Sequence, residues 1–121
     1  MSRRILVIDD LEDNRRILRD LLTTAGFEVL EAGTGEEGVR VAETERPDLI
    51  LMDIQLPGLD GYDATRQIKA NPALRAIPLI AVTSYALSGD DVKAYEAGCD
   101  GYVTKPFSPR ALLAKVREYL A

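Results

Sequence analysis

Apolar residues in this chain fall into two alternating patterns: short, dense runs, and stretches in which they recur every third or fourth position. Five runs read as β-strands: Arg4–Asp9 (RILVID), Phe27–Ala32 (FEVLEA), Asp48–Asp53 (DLILMD), Ile77–Thr83 (IPLIAVT) and Gly101–Thr104 (GYVT). The first, third and fourth are almost unbroken in Ile, Leu and Val, as expected of strands covered on both faces in a parallel sheet. Between the runs lie segments of helical period. Ile17, Leu18, Leu21 and Leu22 form one apolar stripe, with Arg15, Arg16, Arg19 and Asp20 on the other side. Gly26 stands where that helix should stop in a left-handed turn, and Gly98 does the same after the segment 89–97. Ser108 before Pro109 reads as an N-cap with proline in the first helical position, opening a last helix that buries Leu112, Leu113, Val116 and Leu120. Strict alternation of strand and helix through five cycles predicts an α/β fold with a doubly wound parallel sheet, right-handed crossovers and helices on both faces.

Composition narrows what such a fold can do. The 121 residues are expected to form one domain, 1–121, burying roughly two thirds of the surface of the extended chain. A formal charge of −5 argues against nucleic acid or an anionic membrane as partner. Arg3 and Arg4 before Ile5–Ile8 imitate a signal peptide, but the apolar segment is ended by Asp9 and Asp10 and is too short. A single cysteine, Cys99, cannot make an internal disulfide, so a reducing cytoplasm is the expected setting. The chain has no histidine. The commonest general base and metal ligand is therefore missing, and any site must be built from oxygen and lysine.

In an open parallel sheet, ligands bind beyond the carboxyl ends of the strands, near the point where strand order reverses. The polar residues of this chain gather there. The first strand ends in Asp9 and Asp10, the third in Asp53, the fourth in Thr83, and the fifth runs into Thr104 and Lys105. Each has an ordinary explanation: Asp10 as a helix cap, Asp53 as a turn residue before Pro57 and Gly58, Thr83 as a β-branched strand residue, Lys105 as a solvated loop lysine. Four such accidents would all have to fall on one rim of one sheet. Two carboxylates ~4 Å apart repel by ~4 kcal/mol at an effective dielectric of about 20, and three acids share this rim. Lys105 supplies one positive charge. With no imidazole or clustered thiol, the remaining neutraliser is a hard divalent cation, and few carboxylates with water completing the shell suit magnesium. Open coordination positions and Lys105 would both attract the oxygens of a phosphoryl group.

Asp9, Asp10, Asp53, Thr83 and Lys105-Pro106, with the flanking text LMDIQLPGLDGYD, AVTSYA and GCDGYVTKPF, resemble the receiver domain of two-component response regulators along the whole chain. The resemblance extends to single-domain receivers and to receiver modules of hybrid histidine kinases. The spacings agree with the family: 43 residues from Asp10 to Asp53 (53 − 10), 30 to Thr83 (83 − 53) and 22 to Lys105 (105 − 83).

The resemblance implies a flavodoxin-like (βα)5 sheet of order 2-1-3-4-5, in a stand-alone receiver. It also implies that Asp53 is the nucleophile, taking a phosphoryl group from a phosphohistidine on a sensor histidine kinase or a histidine phosphotransfer protein. Asp10 and Asp53 would ligate Mg2+ directly, Asp9 largely through water, and Gln55 through its backbone carbonyl. Lys105 and Thr83 would serve the phosphoryl group, and Thr83 with Tyr102 would form a switch that alters the face of the fourth helix, fifth strand and fifth helix. An effector protein could bind that face, and the receiver itself would be a monomer or a phosphorylation-promoted dimer. Tyr102 also has a plain reading, as a half-buried strand aromatic. Lys105-Pro106 is expected to be a cis peptide. Tyr85 and Gln55, flanking the site, are candidates for shielding an acyl phosphate from water. Such a protein catalyses its own phosphorylation and dephosphorylation without being a turnover enzyme.

Three rivals are weaker. A pseudo-receiver that binds without phosphorylation would not need the full acid, threonine and lysine set. A haloacid-dehalogenase-type hydrolase wants a second acid where Gln55 stands. A flavodoxin or Walker-type nucleotide binder wants a phosphate loop where this chain has DDLEDN.

Overall fold

A computed structural model describes residues 3–56, 58–83, 90–105 and 107–120, the side chains of 90 and 91 excepted. Pro57, Tyr85 and Pro106, all singled out by sequence, lie outside the described residues, and with Pro106 the Lys105-Pro106 peptide. The elements alternate as expected: β1 (Arg4–Ile8), α1 (Glu12–Thr24), β2 (Glu28–Ala32), α2 (Gly35–Glu45), β3 (Leu49–Asp53), α3 (Gly61–Ala70), β4 (Leu79–Thr83), α4 (Asp90–Ala97), β5 (Gly101–Thr104) and α5 (Pro109–Leu120). The strands make one parallel sheet in the order β2-β1-β3-β4-β5. This is the flavodoxin-like doubly wound arrangement.

Side-chain alternation divides the core in two. Ile5, Val7, Leu49, Leu51, Ile80 and Val82 pack on one face with Leu18 and Leu22 of α1 and Leu112 and Val116 of α5. Leu6, Ile8, Ile50, Met52, Leu79 and Ala81 pack on the other, with Ala42 of α2, Ala64 and Ile68 of α3 and Ala94 of α4. Burial on both faces is why the central strands are almost continuous in apolar residues.

Element ends follow local chemistry. Gly26 and Gly98 both take left-handed φ, +98° and +111°, as the sequence predicts. Ser108 Oγ accepts from the Ala111 N–H at 2.9 Å, capping α5. The fourth strand starts two residues later than its apolar run, because the Ile77 N–H turns back to the Leu74 carbonyl and Ile77 belongs to the preceding turn. Ile17 departs from expectation: it is 58% exposed, so α1 buries a narrower stripe, Leu18 and Leu22, than its apolar positions imply.

Candidate functional site: an acid pocket at the sheet's switch point

Strand β1 lies between β2 and β3, so the chain steps outward to β2 and then back across β1 to reach β3. The order of the sheet reverses there. Register aligns the strand ends: Ile8 pairs with Met52, Asp53 with Val82, and Thr83 with Thr104. The residue after Ile8 therefore stands level with the residue after Met52, and Asp9 meets Asp53 across the crevice.

Three carboxylates converge. One oxygen from each of Asp9, Asp10 and Asp53 lies within 4.8 Å of the others. Asp9 and Asp53 are buried and Asp10 is exposed. Asp10 is not a helix cap: the N-cap of α1 is Leu11, which makes no side-chain cap bond, and the Leu11 N–H goes to Asp9 Oδ1 at 2.9 Å. The ordinary explanation for Asp10 thus fails.

Lys105 reaches into the same pocket. Its Nζ lies 3.1 Å from Asp9 Oδ2 and 3.8 Å from Asp53 Oδ2, while its backbone N–H donates to the Thr83 carbonyl. It is not a solvated loop lysine; its side chain is 19% exposed. Asp53 Oδ1 accepts from the Gln55 N–H at 3.0 Å. Even so, burial pushes the Asp53 carboxyl up to about 6. The Gln55 N–H and the Lys105 charge oppose that rise, and the charges of Asp9 and Asp10 add to it. One lysine does not balance three acids.

The donor set fits a hard divalent cation: one oxygen from each of three carboxylates lies within 4.8 Å of the others, two of the acids are buried, and burial first, with the neighbouring acids adding to it, holds Asp53 above its ordinary range. Thr83 is buried at the end of β4, one strand over from Asp53 and paired with Thr104. Tyr102 is half-buried on β5, paired with Ala81 and packed against the cluster that holds Leu6 and Met52. The α3 start is pressed onto the site: a Cβ on Gly61 would lie 2.4 Å from the Asp53 carbonyl oxygen. Beside Lys105, an apolar recess of about 280 Å³ is lined by Asn14, Ile17, Leu18 and Phe107.

Sequence reasoning missed two neighbours of the acids, Asn14, whose Nδ2 is 3.4 Å from Asp9 Oδ2, and Arg15, whose Nη1 donates to the Asp9 carbonyl at 2.7 Å. Both lie on the polar side of α1, which reads as solvated. Their distance in sequence from Asp9, five and six residues, was the only available signal.

A carboxylate trio and a lysine at the switch point of a 2-1-3-4-5 sheet define a receiver. The chain belongs to the response regulator receiver domain family, which it matches over residues 5–117. It is 38% identical over 120 residues to the polar-differentiation response regulator DivK of Brucella anthropi, and equally to that of Brucella ovis, with 99% of this chain and 98% of each relative covered. Among solved structures it is similar to the receiver domain of a sensor histidine kinase from Pseudomonas aeruginosa, which has a magnesium ion coordinated in its active site cleft (TM-score 0.92, 38% identity, 99% of this chain and 98% of that one). A CheY-like receiver domain protein from Methanospirillum hungatei is also similar (TM-score 0.92, 34% identity, 99% and 94%).

Proposed function

We propose that this chain, as a single receiver domain over residues 1–121, takes a phosphoryl group from a partner's phosphohistidine onto Asp53 and reports it through protein contacts. The observation that carries the reading is the convergence of Asp9, Asp10 and Asp53 within 4.8 Å, faced by Lys105. Asp10, Asp53 and the Gln55 carbonyl would hold Mg2+, with Asp9 acting largely through water. When bound, the ion supplies the positive charge that three acids and an incoming phosphoryl group require.

The chain's own residues do the rest. An Asp53 carboxylate oxygen attacks phosphorus; the bond from phosphorus to the donor's imidazole nitrogen breaks, and its electron pair stays on that nitrogen. Phosphoryl transfer needs mainly alignment and charge, and Lys105 is positioned to attract a phosphoryl oxygen while the Gln55 N–H fixes the Asp53 carboxylate. Attack by water on phosphorus later breaks the bond from phosphorus to the Asp53 oxygen, releasing inorganic phosphate and restoring the Asp53 carboxylate. Lacking histidine, the chain needs a donor from outside, a sensor histidine kinase or histidine phosphotransfer protein. Leu11 and Ile17, exposed beside the rim at 55% and 58%, offer that donor an apolar footing.

Thr83 and Tyr102 are the proposed readout, the threonine turning to the phosphoryl group and the tyrosine following, so that the α4-β5-α5 face changes for an effector or a second copy. No helix among the described residues is long and apolar enough to cross a membrane, which agrees with work in the cytoplasm.

Intact mass spectrometry after incubation with acetyl phosphate and magnesium tests the reading. The native chain should gain one phosphoryl group, and the Asp53→Asn chain none. A native chain that gains nothing would be a binding module of receiver fold without the chemistry.

A further inference from the structure

Arg15 has the geometry of a part of the site and not of a surface ion pair. Its guanidinium is spread over three elements: Nη1 donates to the Asp9 carbonyl at 2.7 Å, Nη2 to Glu12 Oε2 at 2.6 Å, and Nε lies 3.3 Å from Glu31 Oε1 on β2. The side chain is only 18% exposed. Its seat depends on Gly33, where a Cβ would press on Nη1 at 3.3 Å.

What Arg15 grips is the peptide between the two acids. Asp9 is fixed at every polar atom: its N–H donates to the Ala32 carbonyl, Oδ1 takes the Leu11 N–H, and Oδ2 faces Lys105 and Asn14. Asp10 is exposed and makes no comparable side-chain bond among those described, so its direction depends on its backbone. A peptide is planar, and holding the Asp9 carbonyl oxygen fixes the plane that carries the Asp10 N–H and Cα. The fork of an arginine can hold that oxygen while anchored to two carboxylates; a point-charge ammonium cannot span all three.

We infer that Arg15 is a positioning residue for the cation site, aiming Asp10 by clamping the Asp9–Asp10 peptide. The inference rests on the reading of the acids as a divalent-cation site. Outer-sphere partners that orient ligands are worth about tenfold or more in metal affinity, and Arg15→Met should weaken Mg2+ binding by about that factor. The sign is diagnostic. Charge alone predicts the reverse, because removing a cation beside a cation site can only tighten binding.

Arg19 supplies the matched control. It stands one turn further along α1 and pairs with the same acids, Glu31 at 2.8 Å and Glu12 at 3.9 Å, but makes no bond to Asp9. The experiment is a titration of the full chain with MgCl2, followed by amide chemical shifts in 15N-labelled protein, for the native chain, Arg15→Met, Arg19→Met and Asp10→Asn, with melting of each in EDTA. Arg15→Met weakened about tenfold, with Arg19→Met within about twofold of native and both melting somewhat earlier, is the expected result. If Arg15→Met does not fold, Arg15→Gln carries the same charge change and the same expectation. Equal affinities for Arg15→Met and the native chain, or equal weakening by both arginine variants, overturn the inference. A native chain that does not titrate, or that titrates no better than Asp10→Asn, refutes instead the cation reading beneath it.

Discussion

Asp53 is buried, and burial makes its charge costly. The unfolded chain carries an ordinary aspartate, near 3.8, whereas the folded one holds its proton to about 6. Between those values the folded state binds more protons than the unfolded state, so this residue's contribution to stability is fully present below pH about 4 and is lost as pH rises through 6. Two pH units correspond to about 3 kcal/mol. In EDTA at pH 7.5, Asp53→Asn should therefore be more stable than the native chain by up to about 3 kcal/mol in urea denaturation, with the difference shrinking toward pH 4. Adding magnesium should reverse the order, stabilising the native chain by mass action and leaving the asparagine variant little changed. A native chain as stable as the variant at pH 7.5 without magnesium would mean that burial does not penalise the Asp53 charge.

At the scale of elements, two glycines separate two kinds of constraint. Gly26 ends α1 at φ +98° with nothing within 4 Å of a Cβ, so Gly26→Ala pays only for left-handed backbone, about 1–2 kcal/mol. Gly61 is different: its Cβ would strike the Asp53 carbonyl oxygen at 2.4 Å and the Ile54 Cα at 2.5 Å, so α3 must retreat from the strand end that carries Asp53. Gly61→Ala should cost about 1–3 kcal/mol and also slow phosphorylation of Asp53, read as the rate of mass gain with acetyl phosphate; Gly26→Ala should leave that rate unchanged. The sequence showed one of these and not the other. A helix-ending glycine is a local signal, visible from the apolar period that precedes it. The contact of Gly61 with Asp53 is tertiary, and nothing in GLDGYD announces it. The same division runs through the rest. Strands and strand-end acids were legible because two-sided burial writes itself as unbroken apolar runs, and because the α/β sheet gathers its carboxyl ends on one rim. Ile17 was misplaced because period alone does not say where the opposing element stops. Arg15 was read as solvated, since its chief partner is a backbone carbonyl that no residue type advertises. Lys69 was passed over for the same reason, though its Nζ meets Asp100 Oδ2 at 2.7 Å and the Ile77 carbonyl at 2.9 Å, tying α3 to the starts of β4 and β5.

Over the whole molecule, the question is how one added group at the rim is felt on the far side of β4. The path is short and already packed. Thr83 ends β4, pairs with Thr104, and gives its carbonyl to the Lys105 N–H; Tyr102 lies two pairs back on β5, against the core. On the proposed reading, a phosphoryl group on Asp53 would draw the Thr83 hydroxyl and Lys105 toward itself and so pull on the edge of the sheet that leads into α5. Moving a two-state equilibrium from 1:99 to 99:1 takes ~5.5 kcal/mol of differential interaction, and a hydrogen bond to a charged group contributes about 1.5–3 kcal/mol. The threonine hydroxyl alone would then account for roughly a tenfold to hundredfold share of the switch, the rest falling to Lys105. Thr83→Ala should consequently still gain a phosphoryl group on Asp53, since the hydroxyl is not the nucleophile, but should lose most of the response beyond it. Hydrogen–deuterium exchange on peptides covering β5 and α5, with and without phosphorylation, checks this. The native chain should change its protection there on phosphorylation, and the alanine variant should change far less. Identical changes in both would assign the readout to Lys105 and the backbone, with Thr83 reduced to a buried residue at the end of β4.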